Sequence, residues 1–325
     1  LRNRLNYAVE WTAMHPPHRP RETTDYASWD CLVTDDGSRT LVDRSLGESF
    51  HSGSGAVAET LWVYLRNSGA LDRLRQGQST RIFEVGLGAG IALVMTAAAA
   101  ESWNGPLLYA AIDRQLPPWD LIERLNPASA IDSLMHQGRT AELMLPAHYP
   151  ETVSRTHAEL VRAIRQYQQN TGAADYIQSS PPVPGGIAKQ QKLGASANGY
   201  GSPPMPIPST TAPANLHEIS FHLGANTKVH LFIGDATALA ADERFTSQAF
   251  DCIYFDPFSP DTTPGLWEPP IFARMRSMLK PSGVLTTYCV RRSVRRCMQQ
   301  AGLRPEVVPG PPAGKREVLR AWADV

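Results

Sequence analysis

The sequence predicts an α/β protein built on an open, mostly parallel sheet that ends in an antiparallel hairpin, and three observations carry that prediction. From Arg81 onward, apolar runs of strand length alternate with longer stretches of helical periodicity. A glycine-rich turn, "GLGAG", separates the first such strand from the first such helix. An acidic residue stands at or near the end of each of four strand-like runs, the place where open α/β sheets gather their ligands.

Residues 1–80 read as an N-terminal extension with a hairpin and a helix. They begin with irregular, Pro/Arg-rich sequence, including "HPPHRPRETTDY". In "CLVTDDGSRTLVD" two alternating runs flank Asp36-Gly37, a hairpin signal. "AVAETLWVYLRNSGAL" keeps apolar residues at helical spacing up to Gly69 and reads as one helix.

Residues 81–325 read as the main domain. "RIFEV" is a buried strand, "IALVMTAAAAES" a helix and "GPLLYAAID" a second strand ending at Asp113. The alternation then lapses over 126–227, which reads as an insertion. "ETVSRTHAELVRAIRQYQQ" within it is helical, but 178–215 is rich in Pro, Gly, Ser and Ala, has few large apolar residues to bury, and is expected to be disordered. The pattern resumes with "KVHLFIGDATAL", a strand ending at Asp235, and "AFDCIYFDPFSP", a strand ending at Asp256. "LWEPPIFARMRSMLKPSG" is a helix interrupted by prolines near its start; "GVLTTYCV" is a strand and "RRSVRRCMQQAG" a helix closed by Gly302. "RPEVVPG" and "KREVLRAW" form the final hairpin across the tight loop "PGPPAGK".

Composition sets the outer bounds. With 325 residues and 42% apolar content the chain can bury a sizeable core. No apolar run reaches the roughly 18 residues of a membrane helix, and no signal peptide pattern opens the sequence, so a soluble, cytoplasmic protein is expected. Cys31, Cys252, Cys289 and Cys297 lack metal spacing, as do His15, His18, His51 and His136; free thiols and no metal are expected. The 31 basic and 31 acidic residues cancel, but not evenly. Between Arg274 and Arg320 eleven Lys and Arg residues face only Glu306 and Glu317, a basic end suited to a polyanion.

The glycine spacing separates two kinds of ligand. A dinucleotide turn runs G-x-G-x-x-G and meets a pyrophosphate, whereas Gly86, Gly88 and Gly90 run G-x-G-x-G behind Glu84. That carboxylate repels an anion and attracts a cation, such as the sulfonium and ammonium of S-adenosylmethionine. Asp113 is placed to accept hydrogen bonds from ribose hydroxyls. Asp235, followed by Ala236 in "GDA", is placed for an adenine amino group. "DPFSP" from Asp256 to Pro260 is the second signal. Its acid, proline and aromatic resemble the Asp/Asn-Pro-Pro-aromatic loop with which amino-methyltransferases hold an amine. Asp256 would orient the amine while Phe258 packs on a planar base.

On these residues the chain resembles the methyltransferase domain of the bifunctional enzyme that completes 5-methylaminomethyl-2-thiouridine at the tRNA wobble position, and its stand-alone relatives. The matching pieces are "ESFHSGSGAVAETLWVYL", "FEVGLGAG", "DPFSPDTTPGLW", "GVLTTYCVRRSVRRCMQQAG" and "GPPAGKREVLRAW", in the family's order and over about half the chain. Pro257 departs from the Ala usual in that loop. The resemblance implies a Rossmann-like class I methyltransferase fold, with S-adenosyl-L-methionine as cofactor and tRNA as partner, that methylates the primary amine of 5-aminomethyl(-2-thio)uridine. It implies that Glu84, Gly86, Gly88, Gly90, Asp113, Asp235 and Ala236 line the cofactor and that Asp256 is the catalytic residue. Pro257, Phe258, Trp267, Lys315 and Arg316 then fall near the substrate. The chain ends soon after the last strand, so only the methyl-transfer step is expected of it, without the flavin-dependent oxidase half. Two other readings keep their place. One is a methyltransferase or aminopropyltransferase for a small-molecule amine, and the other a non-catalytic binding protein on the same fold.

Overall fold

The computed structural model describes residues 19–172, 216–240, 249–312 and 314–323; the stretch 178–215, expected to be disordered, lies outside the described residues. Strands β1 (Arg21–Thr23), β2 (Trp29–Val33), β3 (Arg39–Asp43) and β4 (Glu48–Ser49) form a small antiparallel sheet, with the expected hairpin turning at Gly37. Helix α1 (Ala56–Glu59) runs on as a π-helix over Thr60–Arg66. The single helix expected up to Gly69 is in fact two. Gly69 takes a left-handed conformation (φ 80°), which turns the chain into α2 (Ala70–Arg75).

The main sheet contains β5 (Thr80–Val85), β6 (Leu107–Asp113), β7 (His217–Leu223), β8 (Thr227–Ile233), β9 (Phe250–Phe255), β10 (Leu279–Thr287), β11 (Leu303–Pro309) and β12 (Glu317–Ala323). Their order is β11-β12-β10-β9-β5-β6-β8-β7. The five central strands are parallel, and β11 and β12 form the expected antiparallel hairpin. The fold is Rossmann-like. β7 was not expected: its polar alternation reads weakly as a strand, and it is held as an edge antiparallel to β8. The interval read as an insertion therefore supplies more than a loop. It contributes α5 (Ala128–His136), α6 (Tyr149–Thr171) and β7 to the packed body.

Burial follows from residue type. β9, "FDCIYF", is buried along its whole length, as a central strand covered on both faces must be. On one face it meets a core that includes Leu61, Tyr64, Met95 and Leu160 from the N-terminal helices, α3 (Ile91–Trp103) and α6. On the other it meets Phe272, Met275, Val294 and Met298 of α7 (Pro269–Met278) and α8 (Arg292–Gln300). The alanines of α3 leave room for α6, whose Tyr149 hydroxyl donates to the Met95 carbonyl at 2.7 Å. Cys31, Cys252 and Cys289 are buried free thiols, and Cys297 is half-buried.

The winding direction positions the site. From β5 the chain moves outward through β6 and β8, then returns to the opposite side of β5 with β9 and β10. The order reverses between β5 and β9, which pair in register from Ile82–Cys252 to Val85–Phe255 and end at the same level. A crevice beyond such paired strand ends is where open sheets bind ligands.

The small sheet is tied to this body through the turn of its hairpin. The buried Asp36 carboxylate accepts the N–H groups of Ser38 (3.0 Å) and Ala58 (2.8 Å), so it caps α1 from across the hairpin. Asp36→Ala should leave these buried donors unpaired. We expect a loss of about 2–3 kcal/mol in urea denaturation, whereas an unchanged midpoint would show that the cap contributes nothing.

Candidate active site

Gly86 follows β5 and Asp256 follows β9, and the two backbones touch at the reversal. A Cβ on Gly86 would stand 2.4 Å from the Asp256 carbonyl oxygen, and Gly86 has φ +89°. Only glycine meets both conditions. Gly88 (φ +55°) lies under the Phe50 ring and Gly90 (φ +75°) under Leu160, so each glycine of "GLGAG" both turns the chain and admits a neighbour.

The expected carboxylates sit around this turn in different settings. Glu84 is fully buried and accepts a hydrogen bond from the Tyr109 hydroxyl at 2.8 Å. Burial pushes its carboxyl well above the usual range, against the lowering effect of that hydrogen bond. Asp113 ends β6 and accepts the Gly88 N–H at 2.8 Å, which fixes the turn; burial raises it to about 6 even so. Asp235 is exposed and already committed locally. Its Oδ1 accepts from the Thr237 N–H (2.9 Å) and hydroxyl (2.8 Å), capping the short 3-10 turn Ala236–Ala240 in which Ala236 is buried.

Asp256 is half-buried, and burial, followed by the charge of Glu59, pushes its carboxyl well above the usual range. The hydroxyl of Tyr64 lies beside it, and that buried hydroxyl meets no hydrogen-bond geometry with other atoms of the described residues. Lys315 is the cation that opposes the rise. Its Nζ reaches Glu59 Oε1 at 3.1 Å and sits 4.1 Å from the centre of the Tyr288 ring. Tyr288 in turn donates its hydroxyl to the Pro257 carbonyl at 3.0 Å.

The "DPFSP" loop is held from both sides. Glu48 of β4 accepts the Ser259 N–H (3.2 Å) and the hydroxyls of Ser259 and Thr262 (2.5 Å each). Phe50 packs edge-on to Phe258 at 5.5 Å. Trp267, expected near the substrate, is buried at 4% exposure against Phe255, and its indole N–H donates to the Phe258 carbonyl at 2.9 Å. It supports the loop from the core. Arg316 is exposed directly after Lys315, the last residue of "GPPAGK".

Glu48, Phe50, Glu59, Tyr64, Tyr109 and Tyr288 were not anticipated as site residues. Glu59 alone gave a signal, a charge on the apolar side of a helix in "AVAETLW". Glu59 immediately precedes the π-helical stretch and Tyr64 lies within it, and both bear on Asp256. Among the described residues the site so assembled sets Glu59, Glu84, Asp113 and Asp256 against the Lys315 ammonium, a balance that favours a cationic ligand. Among the described residues no group of His, Cys, Asp and Glu side chains could hold a metal, and no helix is long and apolar enough to cross a membrane.

Fold and site together resemble those of the Rossmann-like S-adenosylmethionine-dependent methyltransferases. Residues 208–324 match a family described as S-adenosyl-L-methionine-dependent methyltransferase. The chain is related to the methyltransferase domain of the tRNA 5-methylaminomethyl-2-thiouridine biosynthesis bifunctional protein MnmC. It is 32% identical to that protein of Ralstonia nicotianae over 107 residues, 33% of this chain and 15% of the relative. It is 25% identical to that of Burkholderia mallei over 280 residues, 86% of this chain and 33% of the relative. The crystal structure of MnmC2 from Aquifex aeolicus shares the fold, with a TM-score of 0.54 and 19% identity over 95% of this chain and 73% of that one. The chain thus spans a third or less of the length of these curated relatives.

The apposition of Gly86 and Asp256 is open to a direct test. Gly86→Ala should destabilise the fold by about 2–4 kcal/mol through clash and strain together. Gly47→Ala, at φ +69° with nothing within 4 Å, is the control for strain alone and should lose about 1 kcal/mol. Equal losses in the two variants would show that the contact is not tight.

Proposed function

We propose that this chain is an S-adenosylmethionine-dependent N-methyltransferase that acts on the primary amine of 5-aminomethyl(-2-thio)uridine at the wobble position of tRNA, in the cytoplasm. The observation that carries this reading is the half-buried Asp256 carboxylate, held by its own backbone against the glycine turn at the reversal of strand order. The methyl donor, when bound, supplies an electrophilic methyl group on a cationic sulfonium. Glu84, Gly86, Gly88, Gly90 and Asp113 are the residues that would hold it, with Ala236 and the Asp235 turn at the adenine end. Asp235 Oδ1 shapes that turn through Thr237, and its exposed carboxylate would accept from the adenine amino group through Oδ2.

The acceptor amine must lose a proton before its lone pair can attack. For an alkylamine of pKa about 10.4 this costs about 4.6 kcal/mol at pH 7. An ordinary carboxylate is a poor proton acceptor for that task. Asp256, raised by burial and by Glu59, is a better one, and the Lys315 ammonium keeps it ionised enough to orient the amine. Pro257 stiffens the loop and Phe258 offers a ring edge-braced by Phe50, a surface suited to a planar base. Arg316 is exposed beside Lys315, where a phosphate could reach it.

The assay that tests the reading uses labelled S-adenosylmethionine and tRNA bearing unmethylated 5-aminomethyl-2-thiouridine. Label should appear on that nucleoside; donor binding without transfer to it would sink the substrate claim. In the same assay Asp256→Asn should keep donor affinity and lose ten- to a thousandfold in turnover, about 1.4–4 kcal/mol of barrier. A variant at wild-type rate would remove the role given to that carboxylate.

Donor binding should also be linked to protons. Glu84 and Asp113 have folded pKa values raised above their ordinary ones, so each holds a proton to a higher pH in the ligand-free protein. A cationic ligand favours their ionised forms and must displace protons on binding. Affinity should therefore increase as pH rises through about 6, where Asp113 titrates, and the calorimetric binding heat should depend on the buffer's ionisation enthalpy. A pH-independent affinity between pH 5 and 7 would contradict this.

A further inference from the structure

The basic end of the chain is not absorbed by the site described above. Helix α8 places Arg292, Arg295, Arg296 and Gln299 at positions i, i+3, i+4 and i+7, hence on one face, while Val294 and Met298 are buried in the core. With Pro305 of β11 these residues line an open cavity of about 270 Å³ that has no acidic side chain in its wall. Among the described residues no acid forms an ion pair with Arg292, Arg295 or Arg296, and the buried Nε of Arg295 has no hydrogen-bond partner. Three guanidinium groups gathered on one wall without a counter-charge are unfavourable for the folded chain alone, so an external anion would relieve them.

The position of the cavity indicates what kind of anion. Arg291, the residue before α8, forms a two-pronged ion pair with Asp261 at 2.6 and 2.7 Å, tying the start of the helix to the loop that follows Asp256. An extended polyanion lying along α8 would thus lead towards the proposed amine site. A membrane surface fits less well, because binding there needs exposed apolar anchors beside the basic face. The large apolar residues exposed among the described ones are Leu46 and Met144, both on other elements.

Building on the tRNA reading above, we infer that the α8 face of Arg292, Arg295 and Arg296 is a cradle for the phosphodiester backbone of the RNA substrate. Arg295 and Arg296 stand about 4.5 and 6 Å beyond Arg292 along the helix axis, so the cradle can neutralise more than one phosphate of a strand. Each neutralised phosphate contributes about 0.7–0.9 to the slope of log affinity against log salt.

The test measures fluorescence anisotropy of labelled tRNA with the full chain between 50 and 200 mM KCl, on the order of the range over which phosphate contacts are read. Three proteins join the wild type. The first is the triple Arg292→Gln, Arg295→Gln, Arg296→Gln variant. The second is a double variant that leaves the half-buried Arg295 in place and so guards against misfolding. The third is a triple Lys variant that keeps the charge. The Gln variants should weaken binding about tenfold or more and lower the salt slope by about 2, with the Lys variant close to wild type in slope. Gln variants with wild-type affinity and slope would overturn the inference. So would tighter binding of the wild type to phosphatidylglycerol vesicles than to tRNA, lost in the same variants. Transfer of methyl label by the wild type, read in parallel, separates the two claims. Binding through α8 without methylation of tRNA would end the wobble-amine reading and leave the cradle. Methylation with undiminished binding by the Gln variants would do the reverse.

Discussion

The close approach of the Gly86 backbone to the Asp256 carbonyl is the contact from which the rest of the site follows. It arises because β5 and β9 are parallel neighbours that end at the same level, so the turns leaving them compete for one volume. A side chain at residue 86 would separate those turns and open the crevice. Glycine lets them close, which brings the "GLGAG" turn and the "DPFSP" loop into van der Waals contact. Phe50 reinforces this from the small sheet, since one ring covers Gly88 and braces Phe258 at once. The N-terminal extension is therefore part of the site's wall.

Electrostatics adds a second constraint. Burial raises the carboxyl groups of the buried Glu84 and the half-buried Asp256, and Lys315 is the ammonium beside Asp256 and Glu59 among the described residues. Such a cluster is unfavourable while empty of a cation, because like charges share a low-dielectric space. A positively charged ligand changes the sign of the balance. The same arrangement suits a cation better than an anionic dinucleotide, and the roles proposed for the glycine turn and for Asp256 rest on that balance.

Much of this was legible in the sequence, for identifiable reasons. Strands such as "RIFEV" and "FDCIYF" are short, apolar and bounded by turns, so their type and order could be read directly, and the acids at their ends with them. What escaped depends on contacts between distant residues or on edges. The Glu59–Lys315 pair joins residues separated by 256 positions, and no local pattern links them. β7 is half exposed and mostly polar, and it becomes a strand because β8 offers an open edge. Trp267 looked like a substrate contact because it follows the "DPFSP" loop, but its indole is used from beneath to hold the Phe258 carbonyl. Asp235 stands at the end of β8 where the sequence puts it, and the hydrogen bonds of its Oδ1 to Thr237 are a local feature that the sequence did not show.

A crystal structure with S-adenosylhomocysteine, the product of methyl transfer, would test the central claim most directly. The account predicts the thioether sulfur in the crevice between the Gly86 turn and the Asp256 carboxylate, with the lone pair left by the departed methyl group turned towards Asp256 and the amino-acid end near Glu84. A ligand seated elsewhere on the sheet, or one whose sulfur faces away from Asp256, would contradict it.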